Sequence, residues 1–456
     1  MHILIISIIL LIFWTLLLFI DVNPESKLFC LKKKDSFMQK SANKATFLAS
    51  LGAGLEYYDF VIYGLMASTL STLFFAGETA SHLSKTFGIF ALGYIARPVG
   101  GVLFGVIGDT YGRKKTFLSV MLLMAASTFS IGLLPSCSQA GIFAPCALLI
   151  LRLLQGLSFG AELPGAITVV NEHSDKKKWG VYTGFVISSV SLGATLASFI
   201  LYILSQTLDR SAILAWGWRI PFLLGGVFSL ANYFIRKHLN ETPEFTKLQK
   251  TRKQTSLKDP ILALMRHHKK SLVLGISMTG IMSSLVIFFL SFPTYINMHF
   301  GYDIKSGYLA VTWGMIWSSL TLPLCGWLSD RIGKAKIYLL TCLTFSVSCF
   351  ALFSLLQIGT LTSLIIFTTI YQTIISFLSV SYFSLISSIF STEVRYTGLS
   401  FCYNIVYCIV GCTPMFMVAV KNPNIGPLLL TCFALIGVAS GFVYYKNTHS
   451  LENSRI

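Results

Sequence analysis

The sequence predicts an all-α membrane protein of about twelve transmembrane helices, and three observations support this fold class. Hydrophobic residues make up 54% of the 456 residues and charged residues only 12%, whereas an ordinary globular domain carries about 25% charged residues. The mean hydropathy is +0.72. Continuous apolar runs recur along the chain, and a helix needs roughly 20 such residues to cross a bilayer. Barrel strands would instead alternate apolar and polar residues.

The apolar runs form two groups of six, which predicts two six-helix bundles. The first group lies near 46–75, 84–108, 116–134, 143–170, 181–205 and 213–235, and the second near 271–296, 307–328, 337–356, 362–390, 397–419 and 427–445. One long hydrophilic stretch separates the groups. We therefore predict an N-terminal bundle over 38–236, a cytoplasmic linker over 237–270, a C-terminal bundle over 271–446 and a short cytoplasmic tail over 447–456.

An additional apolar segment precedes the first bundle within residues 1–37. Its uncharged run over 3–20 is followed, not preceded, by lysines, which is the opposite of a secretory signal. Two interpretations remain: a thirteenth helix, or an extension from a start codon upstream of Met38. We favour the extension, because the twelve-helix unit is complete without the segment.

The net charge of +17 indicates membrane orientation rather than nucleic-acid binding. Most Lys and Arg residues fall in segments that the twelve-span topology assigns to the cytoplasm, and this bias is typical of bacterial inner-membrane proteins. Lys85, Arg210, Lys305 and Lys421 fall on the opposite side. The C-terminus is accordingly predicted to be cytoplasmic.

The same residues argue against an enzyme and against an ATP-driven pump. Neither glycine-rich turn completes the phosphate-binding pattern Gly-x4-Gly-Lys-Ser/Thr, and the chain offers no soluble domain of nucleotide-binding size. The ten cysteines lie mostly inside predicted spans without a histidine cluster, so we predict no disulfide and no metal. We also predict no cofactor, and we expect a proton gradient to supply the driving force.

A glycine–aspartate turn occurs at equivalent places in the two groups. The pattern Gly-x3-Asp-x2-Gly-basic follows the second span at 105–113 and the eighth span at 326–334. Two parallel six-helix repeats with a site between them are the architecture of major facilitator transporters. We predict that both turns contribute to gating, through aspartates that face a helix N-terminus or a basic side chain across the interface. The predicted gating residues here are Gly105, Asp109, Gly112, Arg113, Asp330, Arg331 and Gly333.

Several segments resemble the metabolite:proton symporter family of that superfamily, which includes proline/betaine, dicarboxylate, citrate and shikimate carriers. They are Glu-Tyr-Tyr-Asp-Phe at 56–60, Ala-Arg-Pro at 96–98, Arg-Leu-Leu-Gln-Gly at 152–156, Trp-Gly-Trp-Arg at 216–219 and Thr-Glu-Val-Arg at 392–395. Leu163 and Pro164 stand where the family usually carries Trp and Gly. The resemblance implies proton-coupled uptake, and it adds Glu393 and Arg395 to the predicted gating residues.

Charged residues inside apolar spans are costly and are functional candidates. In this chain they concentrate in the first group: Glu56, Asp59, Arg97, Arg152 and Glu162. Two carboxylates at i and i+3 on one helix face repel each other, which favours proton uptake by one of them. We therefore predict proton coupling at Asp59, Glu56 and Glu162, and substrate binding at Arg97 and Arg152. The alternative for each is a static charge pair that clamps neighbouring helices.

The second group is almost free of charge within its spans and offers aromatic and amide side chains instead. They are Trp313, Trp317, Tyr371, Gln372, Tyr382, Tyr403, Asn404 and Tyr407. Aromatic faces suit a quaternary ammonium, although most aromatics in apolar helices are core residues. From this group we predict substrate binding by Trp313, Trp317, Tyr371, Tyr382 and Asn404, with Tyr58 from the first span.

We predict a proton symporter that acts as a monomer in the bacterial inner membrane and imports a small polar metabolite. Its predicted partners are this metabolite, protons and membrane lipid, and no nucleic acid. A zwitterionic osmolyte or amino acid such as proline or betaine leads, and a di- or tricarboxylate is the alternative. An uncoupled uniporter or exchanger, and a membrane sensor that does not transport, are the rival functions.

Overall fold

The computed structural model describes residues 34–75, 79–111, 113–160, 162–237, 264–266, 268–390, 395–420 and 422–453. In the first half the helices are α1 (Lys34–Leu65), α2 (Ala67–Phe74), α3 (Thr79–Tyr111), α4 (Arg113–Leu133), α5 (Phe143–Phe159), α6 (Glu162–His173), α7 (Trp179–Thr207) and α8 (Arg219–Lys237). In the second half they are α9 (Lys269–Phe300), α10 (Ile304–Ile332), α11 (Lys334–Phe353), α12 (Leu361–Ile389), α13 (Arg395–Val410), α14 (Thr413–Ala419) and α15 (Ile425–Asn453). Short helical turns at Cys137–Ala140, Lys176–Lys178, Arg210–Ala212, Ile213–Gly217 and Ser354–Ile358 join them.

Helices occupy each of the twelve positions at which the sequence predicts a span, and the all-helical fold class is confirmed. Among the described residues, eight helices are long and apolar enough to cross a membrane, or nine if the bent pair Arg210–Gly217 and Arg219–Phe234 counts as one span. The remaining candidates belong to the first half, where helices such as α1 carry charged residues that lower their apolar character. Length and composition alone therefore show a multi-pass membrane protein without fixing the number of spans.

The two halves repeat the same helix-packing pairs. In the first half, α1 packs on α7, α3 on α5, and α4 on α8. At the equivalent places of the second half, α9 packs on α13, α10 on α12, and α11 on α15. The internal repeat seen in the turns thus extends to the whole helical framework.

Close helix approach in the first half depends on glycine, as small-residue spacing predicts. A Cβ atom at Gly156 would lie 1.9 Å from the carbonyl oxygen of Gly93, and one at Gly160 would lie 2.2 Å from that of Arg97. The backbones of α3 and α5 therefore touch directly. This contact places Arg97 and Arg152, one on each of these helices, in the interior of the half.

Arg219 closes the end of α4 from the first turn of α8. Its Nη1 donates to the carbonyl oxygens of Gly132, at 3.0 Å, and Leu134, at 2.6 Å. These carbonyls have no partner within α4, because the last turn of any helix leaves its acceptors free. The contact fixes where α8 begins relative to α4.

Two seams join the halves: α7 packs on α10, and α3 packs on α13 and α14. The two seams are equivalent under the internal repeat, because α7 of the first half corresponds to α13 of the second half, and α3 corresponds to α10. The predicted segment over 1–37 lies almost wholly outside the described residues, and so does most of the predicted linker over 237–270.

Candidate functional site

A cavity of about 50 Å³ lies between the halves. Three tyrosines contribute to its wall: Tyr57 from α1, and Tyr403 and Tyr407 from α13. The other polar groups of the wall are Ser191, Ser318, Gln372 and Ser379. The remaining lining is apolar, and no charged side chain belongs to the lining within the described part of the chain.

A narrower hollow adjoins this cavity and contains two acidic residues. Glu56 of α1 and Glu162 of α6 both line it, and Tyr57, Leu163 and Val190 line both spaces. Glu56 and Glu162 are 2% and 7% exposed. Two residues predicted to couple protons therefore line one hollow beside the central cavity.

Arg97 lies on the other side of the tyrosine wall, surrounded by aromatic rings. Its Cζ is 4.1 Å from the ring centroids of Phe60 and Tyr94, 4.3 Å from that of Phe159 and 5.4 Å from that of Tyr407. Within the described residues, its buried Nε and Nη1 have no hydrogen-bond partner. Ring faces thus stabilise this buried cation. Its Nε and Nη1 atoms can still donate hydrogen bonds to a ligand.

Arg152 is fully buried and belongs to a chain of polar contacts. Its Nη1 donates to Oε1 of Gln155 at 2.7 Å, and Nε2 of Gln155 donates to Oγ1 of Thr128 at 2.8 Å. The ring of Tyr63 lies 4.3 Å from its Cζ. A neutral amide and an aromatic face, rather than a carboxylate, hold this guanidinium.

Asp59 and Glu56 both accept hydrogen bonds from α8. Ser229 donates its hydroxyl to Oδ2 of Asp59, and Asn232 donates Nδ2 to Oε1 of Glu56 at 3.2 Å. The two carboxylates share one helix face, as their spacing predicts. Asp59 is directed at α8 and does not belong to the lining of the central cavity.

The tyrosine side chains predicted to bind substrate are anchored to neighbouring helices. Tyr58 donates its hydroxyl to the carbonyl oxygen of Pro221 at 2.9 Å, and Tyr371 donates to that of Leu285 at 3.0 Å. The hydroxyl of Tyr382 pairs with a threonine hydroxyl of α9 at 2.8 Å. The structure brings none of the three into the cavity wall.

Trp313 and Trp317 lie on a different face of α10 from the cavity residues. Their Nε1 atoms donate to the hydroxyls of Thr369 and Thr373 on α12, each at 2.8 Å. Trp313 is 40% exposed. The structure therefore places these two rings along the outside of the α10–α12 pair.

Asn404 crosses between the halves. Its Nδ2 donates to the carbonyl oxygen of Gly160 at 2.5 Å and to that of Ser400, one turn earlier on its own helix, at 3.0 Å. Gly160 sits at the break between α5 and α6. Asn404 thus joins α13 of the second half to the break between α5 and α6 of the first half, and it does not line the cavity.

The aspartate of the second glycine–aspartate turn contacts a helix of the other half. Asp330 of α10 accepts hydrogen bonds from the backbone N–H groups of Gly180 and Val181, each at 2.9 Å, and these belong to the first turn of α7 in the other half. Lys334 contacts the same carboxylate at 3.4 Å and donates to the carbonyl oxygen of Lys176 at 2.7 Å. A side chain of one half therefore caps a helix of the other.

The neighbouring residues of this turn have separate roles. Gly333 joins α10 to α11 with φ of +114°, a backbone conformation that favours glycine. Arg331 is exposed and stacks on the ring of Trp327, with its Cζ 3.9 Å from the ring centroid. For the other predicted gating residues, the side chains or the whole residues lie outside the described part of the chain: Gly105, Asp109, Gly112, Arg113, Glu393 and Arg395.

Two further contacts join the halves near the other end of α10. Tyr308 donates its hydroxyl to the carbonyl oxygen of Leu65, the last residue of α1, at 3.1 Å, and Thr312 donates to the hydroxyl of Ser198 on α7 at 3.0 Å. Both ends of α10 therefore contact the first half.

Sequence reasoning overlooked four of these groups as site residues. Tyr57 stands in the first-span motif beside two more prominent acids, and Tyr403 and Tyr407 stand beside Asn404. The sequence does not reveal which face of a helix points to the cavity. On α12, Gln372 and Ser379 lie on the face that lines the cavity, whereas the adjacent Tyr371 lies on another face.

Known proteins resemble the chain over most of its length. Residues 45–413 match the family model of the Major Facilitator Superfamily. The glycine betaine/proline/ectoine/pipecolic acid transporter OusA of Dickeya dadantii is 29% identical over 418 residues, which cover 89% of this chain and 83% of that protein. A putative proline/betaine transporter of Staphylococcus haemolyticus is 31% identical over 422 residues, which cover 90% of this chain and 88% of the relative.

Solved structures of similar fold are proton:xylose symporters. XylE bound to 6-bromo-6-deoxy-D-glucose matches with a TM-score of 0.71 at 14% identity, covering 90% of this chain and 96% of that one. A partially occluded inward-open form of the Escherichia coli xylose transporter XylE matches with a TM-score of 0.70 at 16% identity, covering 89% and 98%. At such identities the likeness shows the fold alone.

Proposed function

Because the chain belongs to the Major Facilitator Superfamily, and its relatives are transporters rather than enzymes, we propose that it imports a small zwitterionic metabolite, such as proline or betaine, together with protons. In this proposal twelve helices span a bacterial inner membrane as two six-helix bundles, with the C-terminus in the cytoplasm. The protein acts as a monomer, and the cavity alternates between the two sides.

The observation that carries the proposal is the composition of the cavity wall. Tyr57, Tyr403 and Tyr407 line a cavity between the halves, with neutral polar groups and no charged side chain in the described lining. Aromatic faces attract a substituted ammonium without the desolvation cost of a buried carboxylate. The relatives named as proline/betaine transporters support the same substrate class.

Arg97 is the proposed partner for the carboxylate end of the substrate. Its guanidinium lies behind the ring of Tyr407 and retains two donors without a hydrogen-bond partner in the described structure. A modest movement of that ring would connect the guanidinium with the cavity. The fork of an arginine fits a carboxylate in a bidentate manner.

One observation favours the alternative of a di- or tricarboxylate. Arg152 is a second buried cation with unsatisfied donors, Nε and Nη2. Two arginines with four guanidinium nitrogens that have no hydrogen-bond partner in the described structure suit a substrate of higher negative charge. The described cavity wall offers no cation to a second carboxylate, and for this reason we rank the zwitterion first.

The proposed coupling uses Asp59, Glu56 and Glu162. An ionised carboxylate within lipid depth is expensive, and a bound proton removes its charge. Ser229 donates to Asp59 and Asn232 donates to Glu56 from α8, and both donors are neutral groups. We propose that these acids take protons on the outer side and release them on the inner side.

The proposal is tested with the full-length protein in proteoliposomes. An inward proton gradient should drive accumulation of radiolabelled glycine betaine or proline, and an uncoupler should abolish it. Uptake that merely equilibrates would indicate a uniporter or exchanger, and absence of transport despite binding would indicate a sensor. Accumulation of citrate or a dicarboxylate in place of both zwitterions would select the alternative substrate class.

A further inference from the structure

Helix α8 forms a slot for the acidic face of α1. Pro221, Gly225, Ser229 and Asn232 recur at helical spacing and therefore lie along one face of α8. At one end of this face, the carbonyl oxygen of Pro221 accepts the hydroxyl of Tyr58 at 2.9 Å. That contact fixes the register of α1 against α8.

The absence of a side chain at Gly225 makes room for Asp59. A Cβ atom built at Gly225 would lie 2.4 Å from Oδ1 of Asp59 and 3.0 Å from Cγ2 of Thr128. Asp59 is fully buried, and within the described residues its Oδ1 has no hydrogen-bond partner while its Oδ2 accepts from Ser229. The slot is therefore shaped around the carboxylate.

The two donors in this slot can serve either protonation state of their partner. A serine hydroxyl carries one donor and two acceptor lone pairs, so it can donate to a carboxylate and accept from a carboxylic acid. Asn232 donates Nδ2 to Glu56, while its own Oδ1 is buried without a hydrogen-bond partner in the described structure. That oxygen is the acceptor that a protonated Glu56 would need. A lysine or arginine at either place would bind only the ionised form.

Several other titratable and charged groups surround the two acids. Glu56 lies one turn away from Asp59 on α1, Tyr58 is adjacent in sequence, and Glu162 of α6 lines the same hollow as Glu56. Arg152 of α5 reaches the region of Asp59 through Gln155 and Thr128, whose hydroxyl accepts from Gln155. Ser229 and Asn232, which donate to the two acids from α8, are neutral.

We propose that Ser229 and Asn232 are positioning residues for proton coupling, which hold Asp59 and Glu56 in the slot in both protonation states. This inference rests on the proposed function, because it requires that these acids carry the coupled proton. Ser229 sets the pH range in which Asp59 exchanges its proton, since a hydroxyl that donates to a carboxylate favours the ionised form.

The test compares Ser229→Ala, Ser229→Thr and wild type in proteoliposomes, with radiolabelled glycine betaine as the probe. Without the hydroxyl, Asp59 should keep its proton to a higher pH. The pH of half-maximal proton-driven uptake should therefore rise by about one unit, while counterflow at equal pH stays within about twofold. Ser229→Thr retains a hydroxyl and should restore the wild-type profile.

The matched control is Ser127→Ala. Ser127 is an equally buried serine next to Thr128, but its hydroxyl donates to the carbonyl oxygen of Leu123 in its own helix. Its pH profile should equal that of the wild type. Gly225→Ala, which fills the place of Asp59 Oδ1, should abolish proton-driven uptake in protein that still elutes as a folded species.

Two outcomes separate this inference from the proposed function. If wild-type uptake is insensitive to pH and to an uncoupler, the proposed function is wrong, whatever the variants do. If wild-type uptake is proton-driven and Asp59→Asn uncouples it, but Ser229→Ala keeps the wild-type pH profile, the positioning role of Ser229 is wrong. Equal shifts for Ser229→Ala and Ser229→Thr would also overturn it.

Discussion

The two halves of the molecule share one helical framework but differ in the chemistry of their interiors. All five charged residues that are buried in the described structure belong to the first half: Glu56, Asp59, Arg97, Arg152 and Glu162. The second half buries hydroxyls, amides and rings in the same packing pairs, with Gln372 and Tyr407 facing the cavity. The repeat therefore fixes where helices pack, while the side chains assign different tasks to the halves.

This division has a physical basis. A buried charge requires solvating groups that must not move apart, and here the nearest ones come from the same half: α8 donates to the acids of α1, and the rings of Phe60, Tyr94 and Phe159 lie closer to Arg97 than that of Tyr407 in the second half. The halves can then rock against each other while most of these contacts are kept. Among the described residues, Asp330 places its contact with the other half at the end of the α7–α10 seam.

The strongest way to break this comparison is to remove the acids of the first half. Asp59→Asn keeps size and hydrogen-bonding capacity but cannot titrate. With a gradient of about two pH units, one coupled proton can sustain roughly hundredfold accumulation, and the variant should lose nearly all of it. Exchange of preloaded substrate should continue, because it needs no proton release.

Glu56→Gln belongs in the same experiment, because neighbouring carboxylates titrate as a pair. Wild-type accumulation in both variants would remove the proton site from α1 and leave Glu162 as the candidate. Loss of exchange and binding in both would show that the pair holds substrate or structure. Either result would end the assignment of coupling to this face.

The next prediction concerns the neutral aromatic side of the cavity. Tyr407→Ala removes a ring that lines the cavity and lies 5.4 Å from the guanidinium of Arg97. The apparent affinity for glycine betaine should fall by about five- to thirtyfold, which matches a cation–π contact of 1–2 kcal/mol. Isothermal titration measures this directly. Tyr407→Phe keeps the ring and should stay near wild type; equal losses in both would implicate the hydroxyl instead.

A smaller effect is expected at the end of the α7–α10 seam. Asp330→Asn weakens the cap on the first turn of α7, and charge at a helix N-terminus contributes about 0.3–1 kcal/mol, up to about 2 kcal/mol when partly buried. Transport should slow by about fivefold with unchanged protein levels, because the state with both ends closed is less stable. Initial uptake rates provide the measurement.

Asp209→Asn is the control for that experiment. Asp209 also accepts from a helix N-terminus, at 3.0 Å from the backbone nitrogen of Ala212, but within its own half. Its transport rate should be unchanged. If both variants slow transport equally, or neither does, the cross-half cap has no special role in gating.

Much of the fold was predictable from sequence, and the site was only partly so. The lengths of the apolar runs and the placement of charges were enough to locate the helices, and the repeated turn was enough to predict two equivalent halves. These features can be read from short stretches of sequence, without knowledge of three-dimensional contacts. Intramembrane charge also pointed to Glu56 and Glu162, and both line the hollow beside the cavity. Helical phase was not predictable, because helices such as α12 combine apolar residues with uncharged polar ones all round and show no preferred face.

The partners of the charges were equally hidden. Asp59 meets Ser229 across 170 positions of sequence, and no motif marks a serine in an apolar helix as a partner. Arg97 is stabilised by rings rather than by an acid, so the expectation of a simple charge pair gave no guide to its surroundings. Three-dimensional packing, not local composition, decides such contacts.

The smallest effect is predicted for Trp313, and it sharpens the boundary of the site. A tryptophan inside an apolar span could bind the ammonium group of the substrate. However, Trp313 is 40% exposed, and its Nε1 donates to Thr369 on the neighbouring helix. The cavity residues of α10, Met315 and Ser318, occupy another face. Trp313→Phe should therefore keep the affinity for glycine betaine and the initial rate within about twofold of wild type, since only one partly exposed hydrogen bond is lost. A tenfold loss of affinity would mean that substrate binds on that face of α10 in another conformation, and the tyrosine wall would then be a transit surface rather than the binding site.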